Sequence, residues 1–164
     1  MAVVGYTDGG CRGNPGPGAW AFVLIDPATR RALARADGEA GTTNNRMEMM
    51  AAIMALKAMR HPTTELILHT DSRYLVDCCT TWLAGWKRRG WRRKDGPLKN
   101  VDLLQELDGL LQGRPVRWVW VKGHAGNHGN EFVDALLNQA MDRLQAGTDP
   151  ATRREFTWDG PLPA

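Results

Sequence analysis

Five segments with strand patterns, three of them near the start of the chain, most constrain how this chain can fold. They are residues 2–8, 19–26, 31–39, 66–68 and 116–121. The first three follow each other directly, which predicts an antiparallel meander with a turn near Asp26-Pro27. The last two are separated by helical patterns. This order predicts an α/β fold in which a mixed sheet carries helices on its faces.

Helical periodicity occupies the rest of the ordered chain. The predicted helices run from Asn44 or Asn45 to before Pro62, over 72–80 with a tryptophan-rich turn at 82–86, from 101 to 111, and onward from the glycine-rich loop 123–129. Asn100 is the candidate cap of the third helix. Trp118 and Trp120 alternate along one strand, so we expect both in the core.

The chain is long enough for one core and too short for two ordinary domains. It has 164 residues, and we expect a single domain over residues 1–146. Residues 147–164 contain three prolines and no sustained period, which predicts a flexible or loosely docked tail. Three cysteines do not make a disulfide framework. No signal-peptide or membrane-spanning pattern is visible, so we expect a cytoplasmic protein without a membrane partner.

Positive charge is concentrated in one stretch of the chain. Residues 87–99 hold seven basic residues and one acidic residue, whereas the remainder holds 14 basic and 17 acidic residues. Because glycine and proline interrupt this basic stretch, we expect an exposed loop over much of it. A basic patch on an acidic body indicates a polyanionic partner that one region binds and another processes.

Four acidic residues stand where predicted strands or helices end or begin: Asp8, Glu48, Asp71 and Asp134. Each also has a purely structural interpretation. Asp8 could begin a turn, Glu48 could close a capping box with Asn45, and the other two could serve helix N-termini. If the fold gathers them, two carboxylates about 4 Å apart repel by roughly 4 kcal/mol. Divalent cations would relieve that repulsion, and Mg²⁺ with phosphoryl chemistry is the natural assignment.

The chain also carries a set of long motifs in a fixed order. They are Tyr6-Thr7-Asp8-Gly9-Gly10-Cys11-Arg12-Gly13-Asn14-Pro15-Gly16, Thr42-Thr43-Asn44-Asn45-Arg46-Met47-Glu48, Thr70-Asp71-Ser72, Val121-Lys122-Gly123-His124-Ala125-Gly126 and Asn130-Glu131 with Asp134. Over residues 2–144 this pattern closely resembles bacterial type 1 ribonuclease H. One departure is Arg73, which stands where the resemblance leads us to expect glutamine.

The resemblance implies a fold and an activity. The implied fold is a three-layer, ribonuclease H-like sheet of five strands, three antiparallel and then two parallel, flanked by helices. The implied enzyme is a metal-dependent endonuclease that hydrolyses the RNA strand of an RNA–DNA hybrid and leaves 5′-phosphate and 3′-hydroxyl ends. The alternatives are a non-catalytic nucleic-acid-binding module of the same fold and a related nuclease or transferase acting on DNA.

The resemblance also assigns the reaction centre. Asp8, Glu48, Asp71 and Asp134 match the family's metal-binding carboxylates, and His124 matches its loop histidine. We expect two Mg²⁺ ions per site, with Mn²⁺ as a substitute, acting on the attacking water and on the leaving oxygen. An imidazole titrates near neutral pH, which suits His124 to a proton relay or to product release.

Two groups of residues are candidate contacts for the hybrid. Polar residues near the predicted site could reach the minor groove, where RNA displays its 2′-hydroxyls: Cys11, Arg12, Asn14, Thr43, Asn44 and Asn45. Aromatic and basic residues could contact the DNA strand: Trp82, Trp86, Lys87, Arg88 and Arg89. Turn, cap and mutual-packing roles are the alternatives. We expect a monomer without an obligate protein partner.

Overall fold

The computed structural model describes residues 2–123 and 126–163, and a mixed sheet dominates this part of the chain. The sheet has six strands in the order β7-β4-β1-β2-β3-β8. Their bounds are β1 Ala2–Cys11, β2 Gly16–Ile25, β3 Arg31–Thr42, β4 Glu65–Thr70, β7 Val116–Trp120 and β8 Thr152–Thr157. Two short strands, β5 Arg92–Arg93 and β6 Gly96–Pro97, pair with each other separately.

Helices cover both faces of the sheet. They are α1 Asn44–Ala58, α2 Arg73–Asp77, a π-helical turn Cys78–Trp82, α3 Leu83–Arg88, α4 Val101–Leu111 and α5 His128–Gln145. Within the ranges that the structure describes, none of these helices has the length and apolarity needed to cross a bilayer.

Strand β1 lies at the centre of the sheet and joins its antiparallel half to its parallel half. It pairs antiparallel with β2, which pairs antiparallel with β3. On its other side β1 pairs parallel with β4, and β4 pairs parallel with β7. The predicted mixed sheet, with a meander followed by two parallel strands, is therefore confirmed.

The core has two parts, one on each face of the sheet. Because neighbouring side chains of a strand point in opposite directions, Phe22 packs toward α1 and α4 whereas Val23 packs toward α5. The first part contains the buried face of α1, including Met47 and Ile53. The second contains the apolar face of α5. The molecule thus has the predicted three layers.

The tail differs from its predicted state, and the sheet has one strand more than predicted. Residues Thr152–Thr157 form β8, which pairs antiparallel with the outer edge of β3. Trp158, directly after β8, is only 1% exposed. The sequence of β8 alternates weakly because it is an edge strand whose charged side chains face solvent, so periodicity does not reveal it.

The middle of the chain is more interrupted than predicted. The helix expected over 72–80 is divided. α2 ends at Asp77, the π-helical turn follows, and α3 begins at Leu83. Part of the basic stretch is α3 and part is the β5–β6 hairpin. Asn100 does occupy the N-cap position of α4, but its side chain makes no capping hydrogen bond and instead accepts one from Arg46 Nη1 at 3.3 Å.

Candidate active site

The parallel pairing of β1 and β4 brings two of the predicted carboxylates to the same end of the sheet. Thr7 of β1 lies opposite Thr70 of β4 in the register. Asp8 and Asp71 directly follow these two residues, so they lie side by side. The carboxyl ends of parallel strands are where α/β proteins gather ligand-binding groups.

Glycine at position 9 lets α1 approach this strand end closely. A Cβ atom at Gly9 would lie 2.3 Å from the carbonyl carbon of Met47 and 2.5 Å from the backbone nitrogen of Glu48. Any other residue here would push the helix away from β1. In the Asp-Gly pair of the first motif, Asp8 therefore supplies a carboxylate, and Gly9 leaves room for the helix turn that carries Glu48.

Three carboxylates converge as a result. Oxygen atoms of Asp8, Glu48 and Asp71 all lie within 4.8 Å of one another. Asp8 and Glu48 are 6% and 7% exposed, and Asp71 is half-buried. The backbone N–H of Gly9 donates to Asp8 Oδ1 at 2.9 Å. Among the described residues, Oε1 of Glu48 is buried without a hydrogen-bond partner.

Burial and mutual repulsion hold protons on this cluster when no cation is bound. Burial, followed by the charge of Asp71, raises the pKa of Asp8 to about 8. Burial likewise raises the pKa of Glu48 well above its ordinary value, with the charges of Asp8 and Asp71 adding to the effect.

The purely structural interpretations of these acids do not hold, because other residues perform those roles. Thr43 caps α1 by accepting from the Arg46 N–H, so Glu48 lies beyond any capping box. Ser72 caps α2 by accepting from the Leu75 N–H at 3.1 Å. Asp8 lies inside β1 and not at a turn.

Asp134 belongs to the same region but is not one of the three converging carboxylates. It lies on α5, whose N-cap is Asn127, and it is too far along the helix to serve its first turn. Its negative charge contributes to the raised pKa of Asp8, so Asp134 lies within electrostatic reach of the cluster. The other predicted member of the site, His124, lies outside the described residues.

The polar residues predicted to contact the minor groove form a connected group beside the cluster. Asn44 Oδ1 accepts from the Cys11 N–H at 2.8 Å, and Asn14 Oδ1 accepts from the Asn44 N–H at 3.3 Å. Asn44 and Asn45 are exposed at the start of α1. Arg12 points elsewhere, because its guanidinium forms a 2.7 Å salt bridge with Asp142 of α5.

The predicted DNA contacts lie together on α3 and the turn before it. Trp82 is 40% exposed and packs against Trp86 with the ring centres 5.6 Å apart. Trp86 also packs on the core. Lys87 is paired with Asp108 of α4 at 3.0 Å, whereas Arg88 and Arg89 are exposed. This aromatic and basic surface is continuous with the β5–β6 hairpin.

Trp120 is exposed, contrary to its predicted place in the core. It is the last residue of β7 and is 43% exposed, whereas Trp118 packs against the core. Its Nε1–H donates to the backbone oxygen of Asp71 at 3.1 Å, and the Arg73 guanidinium lies over its ring at 5.1 Å. The alternation was correct, but the core ends before the strand does.

The donor set suits a hard divalent cation. Three carboxylates supply only oxygen ligands, which Mg²⁺ prefers, and the unpartnered Glu48 Oε1 is a buried acceptor that a cation would satisfy. Fold and site together define an α/β protein with a carboxylate cluster that could hold a divalent cation, as in metal-dependent enzymes that cleave phosphodiesters.

Comparison with known proteins gives the family. The RNase H family profile matches residues 1–142. Ribonuclease H of Alcanivorax borkumensis is 49% identical over 144 residues, covering 87% of this chain and 93% of that protein. The chain therefore belongs to the ribonuclease H family.

Solved structures agree with this assignment. LC9-RNase H1, described as a type 1 RNase H with the type 2 active-site motif, matches with a TM-score of 0.79 and 32% identity, covering 96% of this chain and 78% of that one. LC11-RNase H1 in complex with an RNA/DNA hybrid shares the fold, with a TM-score of 0.66 and 24% identity over 87% of this chain and 99% of that one.

Proposed function

We propose that this protein is an endonuclease that hydrolyses the RNA strand of RNA–DNA hybrids and leaves 5′-phosphate and 3′-hydroxyl ends. The observation that carries the proposal is the convergence of Asp8, Glu48 and Asp71 within 4.8 Å in a chain of the ribonuclease H family. The hybrid bound in the LC11-RNase H1 structure supports the choice of substrate.

The carboxylates are the groups that would hold the cofactor. We assign Asp8 as the ligand that two ions would share, with Glu48 and Asp71 holding one ion and Asp134 the other. Two bound Mg²⁺ ions, or Mn²⁺ in their place, would lower the pKa of the attacking water and stabilise the leaving 3′-oxygen. Oxygen-only ligands favour these ions over softer metals.

The protein's own contribution is a site that is assembled in advance. Backbone packing at Gly9 and the register of β1 with β4 fix the carboxylates before any ligand arrives. Protons occupy part of the cluster when it holds no cation, as the raised pKa values of Asp8 and Glu48 indicate. Cation binding must therefore release protons, and the affinity for the cofactor rises with pH.

Recognition of the hybrid is divided between two surfaces. The Cys11–Asn14–Asn44 group is a set of short polar side chains beside the carboxylates, with the reach and chemistry for 2′-hydroxyls in a minor groove. The Trp82–Arg89 surface offers the exposed indole of Trp82 and the exposed side chains of Arg88 and Arg89 for contact with the sugars and phosphates of the DNA strand. His124 remains our candidate for proton transfer or product release.

A cleavage assay tests the proposal directly. A hybrid labelled on its RNA strand should be cut in the presence of Mg²⁺ and left intact with a chelator, and the matching DNA duplex should not be cut. End analysis of the products should give 5′-phosphates. Binding of the hybrid without any cleavage would instead identify a nucleic-acid-binding module, and cleavage of the DNA duplex would identify a different nuclease.

A further inference from the structure

Trp158, at the end of β8, is anchored to the rest of the molecule from several sides. Its backbone N–H donates to the carbonyl oxygen of Arg30 at 2.7 Å. Arg30 Nη1 in turn donates to the carbonyl oxygen of Gly160 at 2.7 Å. The indole Nε1–H donates to the carbonyl oxygen of Pro161 at 3.3 Å. The ring itself is buried, so its position is fixed relative to the sheet.

This ring contacts both β1, which carries Asp8, and α5, which carries Asp134. It stacks near Tyr6 of β1, with ring centres 6.5 Å apart and planes 15° apart. It meets Phe132 of α5 edge to face at 5.3 Å. Tyr6 precedes Asp8 by two residues, and Phe132 precedes Asp134 by two residues.

The first turn of α5 is held between Trp158 and β1. A Cβ atom at Gly129 would lie 2.4 Å from the ring of Tyr6, so the helix backbone rests directly on that ring. On the other side, His128 meets the Trp158 indole edge to face at 5.2 Å. The first turn of α5 therefore packs against Tyr6 on one side and against Trp158 of the tail on the other, in addition to the apolar face of α5 that is buried on the sheet.

Docking matters most for Asp134. The other three carboxylates are fixed by strand register and by the close approach at Gly9, but Asp134 reaches the site only through the position of α5. The family match ends at residue 142, so Trp158 comes from a part of the chain outside that match.

We propose that Trp158 is a positioning residue that sets the separation of Asp134 from Asp8 and thereby the affinity of the site for divalent cations. This inference rests on the proposed function, because it takes the four carboxylates as the cation site. Supporting groups around a metal site commonly change its affinity by about 10–100-fold when they are altered.

The test is calorimetric titration of Mn²⁺ and Mg²⁺ into the full-length protein without substrate, well below its melting temperature. We expect Trp158→Ala to weaken cation binding by about tenfold or more, and Trp158→Phe to restore most of it. In cleavage assays the Mg²⁺ concentration for half-maximal rate should rise by a similar factor, while KM for the hybrid stays within about twofold of the wild-type value. Should Trp158→Ala not fold, Phe132→Leu removes the same contact from the helix side.

The control is Leu24→Ala, a buried position on β2, a strand that carries no site carboxylate, in the core part on the opposite face of the sheet. It should lower the melting temperature comparably and leave cation affinity unchanged. If the Trp158 variants bind cations as tightly as Leu24→Ala does, Trp158 is only structural and the inference is wrong. If the wild-type protein binds no cation, the proposed function fails, and the inference with it.

Discussion

Carboxylate oxygens of Glu48 and Asp8 lie within 4.8 Å of each other, although both residues are acids. Two buried carboxyl groups this close repel each other when both are ionised, so a proton stays on the pair to a higher pH than on a free carboxyl group. The pair is buried at the junction of β1 and α1, where solvent cannot screen the charges. Without a bound cation, the protein therefore holds two acidic groups in an arrangement that destabilises the folded state at neutral pH.

The stability of the metal-free protein should fall as the pH rises through this region. Asp8 has a pKa of about 8 in the folded protein and an ordinary low value when unfolded, so the folded state binds more protons between these values. Its contribution is fully present at low pH and is lost as the pH approaches 8. Between pH 7 and 8.5 we expect the free energy of unfolding to drop by about 1–2 kcal/mol, measured by urea unfolding with a chelator.

Asp8→Asn is the control for this pH dependence, because it removes the charge and keeps the shape. Its unfolding free energy should fall less steeply between pH 7 and 8.5 and should exceed that of the wild type at the upper end, because only Glu48, whose pKa burial raises, still takes up a proton there. Buried His69, whose pKa is lowered mainly by burial, acts at lower pH and in the opposite direction. Parallel curves for the wild type and the variant would contradict the assignment.

Removing one cluster charge should slow cleavage strongly and spare binding. We expect Glu48→Gln to reduce the cleavage rate by on the order of 10²–10³-fold or more, because electrostatic groups at the reacting phosphate contribute on this scale. Affinity for the hybrid, measured by anisotropy with a chelator, should stay equal or increase. The matched control is Glu65→Gln, an exposed glutamate at the opposite end of β4. Mg²⁺-dependent turnover of Glu48→Gln at the wild-type rate would remove Glu48 from the cation site.

Much of the fold and the site could be predicted from local pattern. The helical spacing in α1 is strong because one face of this helix lies against the core, and β2 is a nearly continuous apolar run because both of its faces are buried. Motif order predicted four carboxylates, of which the structure brings Asp8, Glu48 and Asp71 together, and parallel pairing explains why Asp8 and Asp71 meet. That Ser72 would cap α2 and leave Asp71 for the cluster was not predictable, since both residue types are good caps.

The parts that pattern missed depend on long-range contacts. β8 is recruited by the open edge of β3, and its own sequence, Thr-Arg-Arg-Glu-Phe-Thr, has too few apolar residues to show alternation. Trp158 is buried by residues from β1 and α5, which lie far from it in sequence. Trp120 repeats the alternation of Trp118 but lies past the end of the core.

Gly9→Ala should damage the site although it changes no carboxylate. The added methyl group would lie 2.3 Å from the Met47 carbonyl carbon, so α1 must move and Glu48 must move with it. Overpacking of this kind costs roughly 1–3 kcal/mol, and we expect cleavage to fall further than the reduced stability explains. Gly109→Ala is the control, because that glycine lies in α4 with open space around it, and alanine there should stabilise the helix by roughly 0.5–1 kcal/mol. Normal cleavage by Gly9→Ala would show that the close approach is dispensable.

The basic surface should govern how hybrid binding responds to salt. Four arginines are to be neutralised together as glutamine: Arg88, Arg89, Arg92 and Arg93. For every phosphate that the variant no longer neutralises, the slope of log affinity against log salt should become shallower by about 0.9. Binding is measured by anisotropy in an Asp8→Asn background, so that the hybrid stays intact. The control neutralises exposed arginines around the groove at the other end of the sheet: Arg31, Arg60 and Arg153. If both sets change the slope equally per charge, the hybrid responds to net charge alone and does not bind at the α3–hairpin surface.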